Sequence, residues 1–115
     1  MRLCEIKGIK AGCILSAVGS LQKLNLRLAS GSKTYSRDQK YEIVSATGTI
    51  AENGCHVHLS VSDSNGEVVG GHLIEKNEIY TTCELIILEI FNVEFHRELD
   101  SATTFNELKI YLTKS

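Results

Sequence analysis

The chain has 115 residues, 43% of them hydrophobic, and a formal net charge of −2, proportions that suit one globular domain able to bury a core but small enough to lean on partners for stability. No apolar run approaches the roughly 20 residues needed to cross a bilayer, and Arg2, Glu5 and Lys7 interrupt the opening where a secretion signal would be continuously apolar. The expectation is a single cytoplasmic domain over residues 1–115, with no membrane association.

Cys4, Cys13, Cys55 and Cys83 are scattered, with no C-x-x-C pair to suggest a zinc knuckle or a redox site. Reduced, mostly buried thiols are expected. Charge is uneven: residues 1–40 carry 8 basic and 2 acidic side chains, whereas 41–115 carry 4 and 12. Lys23, Arg27, Lys33, Arg37 and Lys40 form a candidate nucleic-acid surface, although the acidic overall balance denies the domain a strong positive field.

In chain order, "MRLCEIKG" resembles the end of a helix closed by Gly8. "AGCILSAVG" then reads as a short apolar strand. "LQKLNLRL" alternates Leu24, Leu26 and Leu28 with Lys23, Asn25 and Arg27, as a half-wet strand does. Gly19-Ser20 between them suggests a bend or bulge. Residues 30–40, "SGSKTYSRDQK", form a polar, exposed loop.

"YEIVSATGTIA" leads through Asn53-Gly54 into "CHVHLSVS", and Asn-Gly predicts a tight hairpin that places Ile50 opposite Val57, Gly48 opposite Leu59 and Ala46 opposite Val61. Ser64-Asn65-Gly66 predicts a second reversal with Gly66 left-handed, setting Val57 against Leu73, Leu59 against Gly71 and Val61 against Val69. Together the turns put those apolar residues on one face. The other carries Ser45, Thr47, Thr49 and Ala51, then His56, His58, Ser60 and Ser62, then Val68, Gly70, His72 and Ile74. A slip of one residue would exchange the two sets.

"CELIILEIFNVEFHREL" is apolar on both faces from Leu85 to Phe91, so it is expected to be a strand buried on both sides. A short turn near 104–107 and an edge strand over 109–112 complete the chain.

The predicted register sets His58 directly opposite His72, at about 5 Å between Cβ atoms, with His56 one same-face step away at about 7 Å. Imidazole nitrogens bind Zn²⁺ at about 2.0–2.1 Å, and a three-histidine set leaves one position open for water or a ligand. Thr49 and Ser60 are candidate neighbours of such an ion or its ligand, with Glu84 and Arg97 available to support it. The competing reading is a polar subunit interface in which the histidines hydrogen-bond one another or a neighbouring chain's glutamates. No Ser-His-Asp order, phosphate-binding loop or dinucleotide fingerprint is present. No residue is therefore assigned as catalytic, and a binding role is expected over an enzymatic one.

The blocks "AGCILSAVGSL", "YEIVSATGTI", "GCHVHLSVSDSNGEVVGGHL" and "FHRELD" resemble, from Ile9 to Leu108, those of the plant-and-prokaryote conserved (PPC) domain family. The resemblance implies an α+β fold, with a mixed, largely antiparallel sheet and few short helices, assembled as a homotrimer. It also implies DNA as a partner, because plant members join this domain to AT-hooks. These 115 residues hold no Arg-Gly-Arg-Pro hook. Family members begin with a further strand and a full helix before the position of "GIKAG", so the chain is read as lacking that strand and most of that helix. The fold is also similar to that of acetolactate decarboxylase, whose zinc sits on an H-x-H pair and a later strand histidine. That likeness maps onto His56, His58 and His72 and implies zinc as cofactor and a small molecule as ligand. Two functions are expected from these readings: a DNA-binding regulatory module, or a zinc-dependent protein acting on a small ligand.

Overall fold

The computed structural model describes residues 8–113. They form eight strands: β1 (Ala11–Arg27), β2 (Thr34–Arg37), β3 (Tyr41–Ala51), β4 (Gly54–Ser62), β5 (Val68–Leu73), β6 (Glu78–Glu89), β7 (Val93–Leu99) and β8 (Asn106–Leu112). Every pairing is antiparallel, and no described residue is helical. This corrects the α+β expectation with its mixed sheet and short helices: the described fold is all-β. The physical reason lies in the connections. A parallel neighbour needs a crossover of a dozen residues or more, usually helical, and the longest connections here are only residues 28–33 and 100–105. The helical turn read from the opening residues, and the strand and helix thought missing before it, lie outside the described residues. Gly8 is described and has the left-handed φ of 90° that a C-cap glycine uses.

β1 organises the fold. It was expected as two strands separated at Gly19-Ser20, but it runs unbroken and absorbs the irregularity as register shifts along β6 at Ile14/Ser16, Gly19/Leu21 and Leu21/Lys23. A side chain at Gly19 would collide with the Thr82 carbonyl, so the close approach requires glycine. The N-terminal part of β1 lies between β3 and β6, while its C-terminal part pairs with β2 and, through Leu26 and Arg27, with β5. Since β3, β4 and β5 are hairpin neighbours, this last contact closes the sheet on itself. Part of the polar loop expected over 30–40 is drawn into that sheet as the short, exposed strand β2.

Closure gives the sheet an inside. Leu21, Leu24, Leu26, Tyr41, Leu59 and Val61 form the main buried cluster, each large aliphatic member contributing about 1.5–3 kcal/mol relative to an exposed position. A second cluster of Ala11, Ala51 and Phe95 docks β7 against the tip of the β3–β4 hairpin. Ala51 was placed on the polar face, but Phe95 covers it and it is buried.

The apolar run after Cys83 does not continue as one strand. It stops at Glu89, turns at Asn92 with φ 68°, and returns as β7, which pairs with β8 in a separate two-stranded sheet. Nor is β6 buried on both sides within this chain. Its inner face, with Cys83 and Leu85, lines an apolar cavity of about 100 Å³ shared with Ile14, Leu21, Leu59 and Leu73. On the outer face, Ile86 is 56% exposed beside Leu15 at 63% and Val18 at 55%.

Candidate metal centre

The second reversal forms as its residues dictate. The Asp63 carboxylate accepts the backbone N–H groups of Asn65 at 2.8 Å and Glu67 at 3.0 Å, and Gly66 takes the left-handed φ of 81°. The resulting β4–β5 register pairs His58 with His72, Leu59 with Gly71 and Val61 with Val69, as expected.

The first hairpin differs. Gly54 pairs with Ala51, so Glu52 and Asn53 form the turn, and Thr47 rather than Thr49 lies opposite His58. Asn53 has been recruited elsewhere: its side chain donates to the Arg97 carbonyl at 2.9 Å and accepts the Arg97 N–H at 2.7 Å, while the Glu52 N–H donates to the Phe95 carbonyl at 2.9 Å. Docking on β7 overrides the local Asn-Gly preference. The expected partners are displaced by two positions, which leaves every side chain on its assigned face.

Consequently the three histidines converge. His56 and His58 Nε2 atoms lie 3.1 Å apart, ring centroids are separated by 4.8 to 5.8 Å, and one nitrogen from each ring fits within 4.8 Å of the others. Bonds of about 2.0–2.1 Å at tetrahedral angles put neighbouring ligand nitrogens about 3.3–3.4 Å apart. The set is thus near ligand spacing and needs only small side-chain adjustments.

Two further properties suit a cation-binding set. His72 Nδ1 is buried and has no hydrogen-bond partner among the described residues, a condition that normally costs free energy unless water or an ion relieves it. Burial, then Arg27 and the other two imidazoles, push the His72 pKa down to about 4, and burial followed by His58 and Arg97 lowers that of His56. Both rings are therefore neutral at pH 7, the form in which imidazole binds metal. Three imidazole nitrogen donors fit zinc among common divalent ions.

The expected neighbours divide. Thr49 lies directly across from His56. Ser60 shares the histidine face, and its hydroxyl bonds that of Ser45. Arg97 runs its stem past Gly54 and donates from Nη2 to the Asn106 carbonyl at 2.6 Å, with its charge reaching His56 and His72. Glu84 instead pairs with Val18 on the β1–β6 ribbon. Sequence reading did not place Arg27 or Glu107 here. Arg27 sits directly opposite His72, and Glu107 acts electrostatically on His56. Both arrive through long-range pairings that hairpin logic does not reach.

The basic residues do not share one face. Arg27 joins the histidines, whereas Arg37 lies opposite Leu24, which points into the core, and stacks on Tyr35 with 4.0 Å from the guanidinium carbon to the ring centroid. Lys40 stacks on Tyr80 at 4.4 Å, Lys23 approaches Glu78 at 4.0 Å, and Lys33 is exposed.

Residues 1–91 match the Plants and Prokaryotes Conserved (PCC) domain. The chain belongs to this family. It is 38% identical over 109 residues to the bifunctional protein GlmU of Synechococcus sp. strains JA-3-3Ab and JA-2-3B'a(2-13), a match covering 95% of this chain but only 18% and 17% of those much longer proteins. Among solved PCC-like structures, a hypothetical protein from Salmonella enterica shares 33% identity at a TM-score of 0.88, covering 95% of this chain and 79% of that one. The metal-containing protein AF0104 from Archaeoglobus fulgidus shares 26% identity at a TM-score of 0.74, covering 90% and 76%. A protein from Bacteroides thetaiotaomicron, provisionally described as DNA-binding, has a TM-score of 0.75 at 24% identity, covering 92% and 77%, a likeness of fold. Among the described residues no helix is long and apolar enough to cross a membrane.

Proposed function

We propose that this PCC domain is a metal-dependent ligand-binding module. In this reading His56, His58 and His72 hold one zinc ion and present its remaining position to a small molecule. The observation that carries the reading is the convergence of one nitrogen from each of three imidazoles within 4.8 Å, in a set whose His72 Nδ1 is buried and has no hydrogen-bond partner among the described residues. The metal content ascribed to the Archaeoglobus protein supports it. Bound zinc supplies Lewis acidity or an activated water. The chain's part is to bring the three imidazoles together and to keep small residues, Thr49 and Ser60, beside them. We assign no catalytic residue. The test is elemental analysis of purified protein: near one zinc per chain is expected, and little or none after His58→Ala. Zinc-free protein that does not take up the ion in titration would refute the reading.

The same proposal takes the single domain over 1–115 to work as a cytoplasmic homotrimer. The exposed strip of Leu15, Val18, Ile86 and Leu88 offers each copy an apolar surface, and the free thiols of Cys13 and Cys83 suit a reducing compartment. A native mass of three chains is expected. Monomer alone at micromolar concentration would refute the trimer.

DNA binding is a second reading, supported by the basic and aromatic side chains interleaved around β2, where Arg37 and Lys40 stack on Tyr35 and Tyr80 near exposed Lys33. Affinity for duplex DNA should then fall steeply with salt and weaken in Lys33→Ala. Unchanged binding in that variant would count against this surface.

A further inference from the structure

The histidine patch has an unbalanced charge. Arg27 stands opposite His72 in the β1–β5 pairing, so both side chains leave the sheet on the same face. It is half-buried, and while its backbone is paired in the sheet its guanidinium makes no hydrogen bond or ion pair with the described residues. Arg97 approaches from β7, with one arm of its guanidinium committed to the Asn106 carbonyl. The Glu107 carboxylate also acts on His56, and its influence ranks below that of Arg97. The positive charges of Arg27 and Arg97 thus bear on the imidazole patch, and a divalent ion would add to them.

Such a surface disfavours a neutral or cationic ligand. A guanidinium is a planar fork of N–H donors that matches the paired oxygens of a carboxylate or other oxyanion, and it cannot shed its charge. The close β1–β5 approach depends on Gly71, since a Cβ there would stand 2.7 Å from the Arg27 carbonyl oxygen. Arg27 is therefore held at the rim of the patch by the backbone.

We infer that the ligand of this site is a small oxyanion, a carboxylate in the simplest case, with one oxygen directed to the ion on His56, His58 and His72 and the other bound by Arg27. This rests on the metal-binding reading above and reassigns Arg27 from a nucleic-acid contact to a specificity-determining residue. Arg97 adds field without being the principal contact.

The experiment is visible absorption of the cobalt(II)-loaded protein titrated with acetate at constant ionic strength, with acetamide as the neutral isostere. A saturable change in the cobalt bands is expected with acetate and none with acetamide. Arg27→Gln should weaken acetate binding at least tenfold without weakening cobalt binding, and Arg27→Lys should restore part of the loss, because the charge returns without the fork. Cobalt bands indifferent to acetate, or equal acetate binding in Arg27→Gln, would overturn this inference while leaving the metal site standing. Absence of cobalt bands in the wild-type protein would overturn both.

Discussion

Among the described residues two clusters each bring three potential metal ligands within 4.8 Å, and they are chemically opposite. His56, His58 and His72 present three imidazoles, one with a buried nitrogen that has no hydrogen-bond partner among the described residues. Glu52, Glu94 and His96 present an imidazole between two carboxylates, with His96 Nε2 3.5 Å from each and Lys10 3.4 Å from Glu94. The second cluster supplies its own partners: His96 contacts both carboxylates, Lys10 pairs with Glu94, and the group ties the β3–β4 hairpin tip to β7. The first is satisfied only in part, by the 3.1 Å contact between His56 and His58 that leaves His72 Nδ1 out, and the neighbouring Arg27 and Arg97 add positive charge that nothing in the cluster offsets. Proximity of ligand atoms alone does not distinguish a binding site from a structural ion pair. The distinguishing feature is whether the protein has already supplied the partners.

The comparison is broken most severely by removing a ligand from each cluster. His58→Ala is expected to take zinc from near one per chain to near none, whereas His96→Ala should leave zinc content unchanged, both read by elemental analysis. Equal losses would erase the distinction. Next in size is Gly71→Ala, whose added methyl must push β5 away from β1. Such overpacking costs about 1–3 kcal/mol, so denaturant unfolding should report that loss together with weakened zinc binding.

A pH effect sharpens the contrast further. His72 is held at about 4 against an ordinary 6.5, so between those values the unfolded chain binds a proton that the folded chain refuses. Stability of the metal-free protein is therefore complete above pH 6.5, declines as pH falls through that window and levels off below about 4. His72→Gln should flatten the slope in denaturant melts, and an unchanged slope would contradict the assignment. The smallest effect is expected from His96→Ala on stability. A partly exposed ion-pair residue typically contributes about 1 kcal/mol or less, so a larger drop in unfolding free energy would show that the Glu52–His96–Glu94 group holds more of the fold than its exposure suggests.

What could be read from the chain follows the range of the forces involved. The Ser64-Asn65-Gly66 reversal and its register were legible because Asp63 and Gly66 settle that turn among neighbouring residues. The Asn53-Gly54 turn was misassigned because Asn53 spends its side chain on Arg97, far along the chain. The face assignment survived because the displacement was an even number of residues. Arg27 was legible as a basic strand residue, but its place beside His72 depends on β5 returning to β1, which no local pattern encodes. Likewise the apolar run after Cys83 showed that β6 needs cover on both sides, but not that the outer side is left open within one chain. The helical content implied by family resemblance had no local support among residues 8–113, and the short connections exclude it there.

The central claim concerns what occupies the imidazole patch, and X-ray absorption at the zinc edge of the loaded protein tests it most directly. The expected spectrum has nitrogen and oxygen scatterers at about 2.0–2.1 Å with the outer-shell pattern of three imidazoles and no sulfur shell near 2.3 Å. A thiolate shell, or imidazole scattering that persists undiminished in His58→Ala, would place the ion elsewhere and contradict the account.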